Sequence, residues 1–366
     1  MSALPEREHG TVAAIDRAVE AQREQPRPHL GCSMLGHPCD RYIWLMFRWA
    51  VREDFPGRML RLFSRGHREE RVMVDLLRAA GVVIHHTDAD PEGQTHLDFG
   101  CHVGGSVDGI IESGLAEAPK TRHIAEFKTS SDRAFKELKK NGVFMAKRLH
   151  WCQMQLYMMG TQIDRAFYLV VNKNTDELYS ERVDYNPDAA RALLERGKRL
   201  ALAERLPPRL NDNPAWWQCH MCPCHEFCHV THCIKPDAIS CRTCAHVTPM
   251  PGGYWDCNIL HKEVLYAYKK TMTEDGRERR EKSDTVPEFK MMDAADQLAG
   301  CPCHVLHPDL VPWPLVGGCD DDGNPGDANG IFMIDGRQIV NGTGKGHLLS
   351  AEILRGLREP ESEVPF

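Results

Sequence analysis

The stretch that decides the fold is GSVDGIIESGLAEAPKTRHIAEFKTSS, residues 105–131. It reads as two short strands, 107–112 and 123–128, joined by a segment containing Gly and Pro. Successive side chains on a strand point to opposite faces, so Glu126 and Lys128 share one face and Phe127 takes the other. If the strands pair around residues 114–122, Asp108 falls nearly opposite Glu126. Two carboxylates and a lysine then converge at one sheet edge, and a hard divalent cation prefers such oxygen donors. The same spacing also fits ordinary exposed hairpin charges, so the flanking sequence has to decide.

Upstream, residues 57–80 form a long amphipathic helix in which Leu60, Phe63, Val72, Leu76 and Leu77 are apolar and arginines lie between them. Gly81 ends it. This helix carries Gly66 and Glu70. Before it, residues 8–23 have helical periodicity. From Asp40 an apolar helix follows, in which Tyr42, Trp44, Leu45 and Phe47 read as core. Residues 82–86 form a strand, with a polar loop between it and the hairpin. Downstream, 131–140 and 146–160 read as helices, the second carrying Gln153, Gln155 and Tyr157. A strand pair at 164–172 and 177–184 and a helix at 188–203 complete an α/β core.

The 366 residues suffice for a sizeable core and a second, smaller unit. No run of about 18 apolar residues offers a membrane span. The charged N-terminus, MSALPEREHG, lacks an apolar signal region, so a cytoplasmic protein is expected. Fifteen cysteines in such a chain point to metal ligands rather than disulfides. The net charge of −7 does not advertise a nucleic-acid binder. The basic runs at 58–78 and 133–148 fit either solvated helix faces or phosphate contacts.

Taken in order, the Gly66/Glu70 helix, Asp108, the Glu126-Phe127-Lys128 strand and the Gln153/Tyr157 helix resemble the PD-(D/E)XK nuclease superfamily, especially its RecB-like and lambda-exonuclease-like branches. The resemblance covers roughly residues 66–172. It implies a restriction-endonuclease-like core, a mixed central sheet flanked by helices, and a Mg²⁺- or Mn²⁺-dependent deoxyribonuclease, with exonuclease action expected. By resemblance, Asp108, Glu126 and the backbone carbonyl of Phe127 would bind the metal, Glu70 would be a further ligand, and Lys128 would activate or position water. Burial and the nearby cation are expected to lower the Lys128 pKa. Gln153 with Tyr157 fits a QxxxY pattern whose residues contact DNA or orient the lysine; Gln155 competes for that glutamine role. Val107 stands where the motif has Pro.

A second constellation joins Cys39 to Cys219, Cys222 and Cys228, one cysteine far upstream and three as CxxCx₅C. It resembles the iron–sulfur staple of RecB-type nucleases, which implies a [4Fe-4S] cluster. The alternative is a local zinc knuckle drawing on Cys219, Cys222, Cys224, Cys228, His225 or Cys233. A third group, Cys241, Cys244 and Cys257, looks like a small zinc ribbon whose fourth ligand is His261 or one of Cys301 and His304; it could present Arg242, Lys262, Lys269 and Lys270 to DNA. The Gly- and Asp-rich residues 317–330 read as a surface loop.

The domains expected are therefore residues 1–210 for the core, 211–235 for a Cys-rich staple closing on it, and 236–366 for a zinc-ribbon-like and C-terminal region. The function expected is DNA cleavage in phage or bacterial recombination, repair or replication, with room for a single-strand annealing or helicase partner. The alternative is a non-catalytic DNA-binding or scaffold protein with structural metals, against which the complete Asp108/Glu126/Lys128 set speaks.

Overall fold

The computed structural model describes residues 10–22, 27–259, 301, 303–324 and 326–356, and the backbone of strands at 262–266, 269–272 and 278–281. In chain order come α1 (Gly10–Ala21), β1 (Leu30–Gly31), α2 (Asp40–Phe47), α3 (Gly57–Ala79), β2 (Val83–His85), β3 (Thr95–Asp98), β4 (Val103–Val107), β5 (Gly109–Ser113) and β6 (His123–Ser130). Then follow α4 (Asp132–Ala146), α5 (Arg148–Thr161), β7 (Arg165–Asn172), β8 (Leu178–Asp184), α6 (Pro187–Ala201) and α7 (Trp217–His220).

A five-stranded mixed sheet, ordered β2-β5-β6-β7-β8, forms the centre. Only β6 and β7 run parallel; the other neighbours are antiparallel. The period-2 alternation of β6 sorts its side chains as the sequence requires. Ala125 and Phe127 join Phe167, Leu169 and Val171 of β7 in one apolar cluster with Met73 and Val74 of α3. Ile124 instead joins Tyr168, Val170 and the core residues of α4 and α5 on the opposite face. The sheet is thus sandwiched between α3 and the α4–α5 layer, and Glu126 lies on the α5 side.

The β3–β4 hairpin lies where a polar loop is expected and forms a small separate sheet ordered β1-β4-β3; because β4 ends at Val107 and β5 begins at Gly109, the expected strand 107–112 is divided at Asp108. The hairpin's Gly104-Gly105 pair and its mixture of His, Thr and Asp give no apolar alternation to read. The glycine has a packing reason: a Cβ on Gly105 would stand 2.8 Å from the Tyr157 ring, so only Gly lets α5 lie this close to β4. In α4 the helix breaks at Gly142 (φ 69°), which turns the chain toward α5.

Beyond α7 the chain adds β9 (Val247–Pro249), β10 (Tyr254–Cys257), β11 (Lys262–Tyr266), β12 (Lys269–Met272), β13 (Glu278–Glu281), β14 (Leu315–Cys319), β15 (Asn329–Ile334), β16 (Arg337–Asn341) and α8 (Ser350–Gly356). Residues 317–330 are not simply a loop. Their two ends belong to β14 and β15, which pair antiparallel and continue into β16; Gly-Gly and Asn-Gly in place of branched residues hid these strands. The C-terminal half packs on the first half rather than beside it. Trp44 and Leu45 of α2 share a cluster with Cys224, Phe227, Cys228, Leu306, Leu310 and Phe332. Cys241, Cys244, Trp255 and Cys257 belong to the cluster that holds α5. No helix among the described residues is long and apolar enough to cross a membrane.

Candidate active site

Asp108 is the single residue between β4 and β5, and the β5–β6 register, Gly109 opposite Ala125, carries it to the level of Glu126. Its Oδ2 accepts a 2.9 Å hydrogen bond from the Phe127 backbone N–H. Glu126 is fully buried. Its Oε2 accepts from Gln153 Nε2 at 3.2 Å, and the same amide nitrogen lies 3.1 Å from the Tyr157 hydroxyl. Its Oε1 has no well-formed hydrogen bond but meets Lys128 Nζ as an ion pair. That ammonium also donates to the Phe127 carbonyl oxygen at 3.0 Å and lies 4.0 Å from Asp108 Oδ2. Glu70, on α3, completes an acidic pocket of three carboxylates around one lysine.

The electrostatics follow from this crowding. Burial pushes the Glu70 carboxyl up to about 7, the charge of Asp108 adds to the rise, and Lys128 opposes it. Burial likewise raises the Glu126 carboxyl, against the pull of Lys128. The lowering expected for Lys128 is that of an amine beside a bound cation; the protein groups alone act the other way. Burial does oppose the charged amine, but Glu126, Asp108 and Glu70 together hold its pKa above the ordinary value.

The geometry decides between the two glutamines. Both are buried, but only Gln153 faces Glu126. Gln155 donates to the Asp184 carbonyl at 3.1 Å and accepts from the Asn186 N–H at 2.6 Å, tying α5 to the start of α6. Two groups the sequence did not flag complete the wall. Tyr168 of β7 is the parallel partner of Glu126, and its hydroxyl lies 2.6 Å from His150 Nδ1 on the first turn of α5. The charge of Lys128 bears on both rings. Only the β6–β7 register reveals this pair, and sequence spacing does not supply it.

The pocket fits a divalent cation. The oxygens expected as ligands, from Asp108, Glu126 and the Phe127 carbonyl, already surround a cation, the Lys128 ammonium, and the crowding that raises the Glu70 and Glu126 carboxyls is what a divalent cation would relieve. As they stand, no three His, Cys, Asp or Glu side chains among the described residues form a finished metal shell; here the lysine occupies the centre.

The basic runs are less free than their sequence suggests. On α3, Arg61 pairs with Asp16, Arg65 with Glu69, Arg71 with Asp88 and Arg78 with Asp90. On α4, Lys136 pairs with Asp132 and Lys139 with Glu177. Lys147 and Arg148, at the start of α5, have no ion pair among the described residues, and the Arg148 guanidinium lies over the Phe144 and Trp151 rings at 4.2 and 4.3 Å.

The cysteines of the expected staple are neighbours in space. Cys39 N-caps α2, and together with Cys219, Cys222 and Cys228 it lines a single pocket. Arg41, His225, His229 and a fifth thiol, Cys224, line it as well. A hydrogen bond from Cys224 lowers the Cys222 thiol to about 7. Arg41 anchors the helix through a 2.7 Å bond to the Pro207 carbonyl, and Arg196 grips Asp40. In the third group, Cys241, Cys244 and Cys257 are buried, while His261 lies outside the described residues. Arg242 does not face DNA. It is fully buried, donates to the carbonyls of Phe47 and Pro28, and stacks over Trp49 at 4.0 Å.

A family model described as the PD-(D/E)XK nuclease superfamily matches residues 6–229. No curated protein matches the sequence. Solved structures with some likeness include "Crystal structure of SSO0001", at 11% identity and TM-score 0.36, covering 60% of this chain and 96% of that one. They also include an alkaline exonuclease, LHK-Exo, from Laribacter hongkongensis, at 17% identity and TM-score 0.33, covering 51% and 91%. The same exonuclease in complex with dAMP matches at 12% identity and TM-score 0.34, covering 50% and 88%. At these scores the family match is the finding that places the chain.

Proposed function

For a chain that belongs to the PD-(D/E)XK nuclease superfamily, we propose that this pocket hydrolyses phosphodiester bonds of DNA with Mg²⁺ or Mn²⁺, acting from strand ends. The observation that carries the reading is the set of oxygens from Asp108, Glu126 and Phe127 gathered around Lys128 Nζ. Asp108, Glu126 and the Phe127 carbonyl would hold the cation, with Glu70 beside them. A cation bound there would neutralise a scissile phosphate and acidify a water. Lys128 donates hydrogen bonds to the attacking water or a phosphate oxygen. Gln153 and Tyr157 fix the Glu126 carboxylate from behind, and the His150–Tyr168 pair walls the site on the β7 side. Lys147 and Arg148, at the start of the helix that carries Gln153, offer an incoming backbone positive charge, so binding weakens with salt.

The staple is part of the same proposal. Cys39, Cys219, Cys222 and Cys228 would hold a [4Fe-4S] cluster, clamping α2 to the segment after α6. Support comes from their shared pocket and from the four soft donors such a cluster needs. A role in phage or bacterial recombination, with a single-strand annealing or helicase partner, fits an end-directed nuclease. The test is cleavage of end-labelled linear, nicked-circular and closed-circular DNA with Mg²⁺, with Mn²⁺ and with chelator. Metal-dependent loss of linear DNA alone is expected. Intact DNA under every condition would refute the proposal, and equal cutting of closed circles would refute its end-directed part.

A further inference from the structure

The C-terminal half carries a second set of thiols, separate from the acidic pocket and from the staple. Cys241 and Cys244 bracket the short turn Cys241–Thr243, and the chain then enters β9. β10 returns antiparallel and places Cys257 opposite Val247, three residues past Cys244. A third segment, carrying Cys301 and Val305, lies against this turn. Ala245 N–H donates to the Val305 carbonyl at 2.8 Å, Cys244 pairs with Leu306 as an isolated bridge, and His304 N–H donates to the Cys301 carbonyl at 2.9 Å. Three chain segments, distant in sequence, thus converge around Cys241, Cys244, Cys257 and Cys301, which as they stand do not yet form a finished metal shell.

Cys241, Cys244 and Cys257 are buried and Cys301 is half-buried. All four are free thiols. An independent observation concerns charge. Arg242, inside the CxxC, is fully buried beside a second buried arginine, Arg48, whose Nη1 donates to the Arg242 carbonyl at 3.1 Å. Among the described residues no carboxylate pairs with Arg242, and its Nε has no hydrogen-bond partner. A buried guanidinium without a countercharge is costly. Four thiolates around Zn²⁺ carry a net charge of −2.

We propose that Cys241, Cys244, Cys257 and Cys301 form a closed tetrathiolate zinc site that locks residues 301–356 onto the β9–β10 hairpin and supplies the countercharge to Arg242. Cys301, not His261, closes the shell. His304 is excluded because its ring is already committed, Nδ1 to Ser350 Oγ at 2.8 Å and Nε2 to the Ser240 carbonyl at 3.2 Å. The proposal stands apart from the nuclease reading.

The full-length protein is purified, and its zinc is counted by elemental analysis with thiol titration before and after chelation. One zinc and four thiols protected until the metal is stripped are expected. Cys301→Ala loses that zinc, Cys301→His retains it, and His261→Ala leaves it in place. Cys301 is only half-buried, so its substitution tests the ligand rather than the core. Replacing zinc with Co²⁺ gives the intense visible absorption of tetrahedral thiolate coordination, lost in Cys257→Ser. Zinc retained in Cys301→Ala but lost in His261→Ala, or a protein with no metal whose four thiols all react at once, overturns the proposal.

Discussion

Glu70 offers a quantitative test of the acidic pocket. Its carboxyl is raised from an ordinary 4.5 to about 7, first by burial and then by Asp108. In the metal-free protein the folded state therefore keeps a proton that the unfolded chain releases. Stability is unaffected below pH about 4.5, falls as pH rises from there, and levels off above about 7. At about 1.36 kcal/mol per pKa unit the loss is about 3 kcal/mol. Its side chain is 23% exposed, so solvent screens little of this. Glu70→Gln keeps the shape and removes the charge. Urea unfolding in chelator at pH 5 and pH 8 should show wild type losing about 3 kcal/mol more than the variant between the two. Added Mn²⁺ at pH 8 should restore wild type and stabilise the variant, which keeps Asp108 and Glu126, by less. Parallel pH dependence in the two proteins would refute the crowding argument.

The remaining predictions concern the supports of the site. Gln153→Leu strips the donor from Glu126 Oε2 and the partner from the Tyr157 hydroxyl, costing about 1–3 kcal/mol per buried group and most of the activity; Gln155→Leu costs similar stability, seen in denaturant midpoints, but leaves activity per folded molecule unchanged. Gly105→Ala drives a Cβ into the Tyr157 ring, so a loss of about 1–3 kcal/mol and a drop in turnover should appear together. Anaerobically purified protein should be brown, and Cys39→Ser should bleach it; a colourless wild type with zinc alone would overturn the iron–sulfur assignment.

Much of this site is legible from local pattern. Alternation in residues 123–130 sorts Phe127 from Glu126 and Lys128, and the hairpin register places Asp108. What the sequence cannot carry is information about both sides of an element at once. α5 is buried from Trp151 through Met158, so no amphipathic stripe tells Gln153 from Gln155, and the choice falls to tertiary contacts. Tyr168 meets the site only because β7 pairs in parallel with β6. Arg242 misleads because a charged residue inside CxxC reads as surface, whereas here it stacks on Trp49 beneath the core. The β3–β4 and β14–β15 hairpins hide behind glycines chosen for close packing and turns, which erase the branched alternation that marks a strand.

The most direct test compares wild type with Glu126→Gln, a substitution that keeps the buried shape and the Gln153 contact but removes one carboxylate from the pocket. Both are assayed on end-labelled linear duplex DNA with Mn²⁺, with circular dichroism verifying that the variant is folded. We expect metal-dependent shortening of the labelled strand by wild type and none above background by the variant. A folded Glu126→Gln protein that degrades the duplex at the wild-type rate would contradict the assignment of this pocket as the catalytic centre.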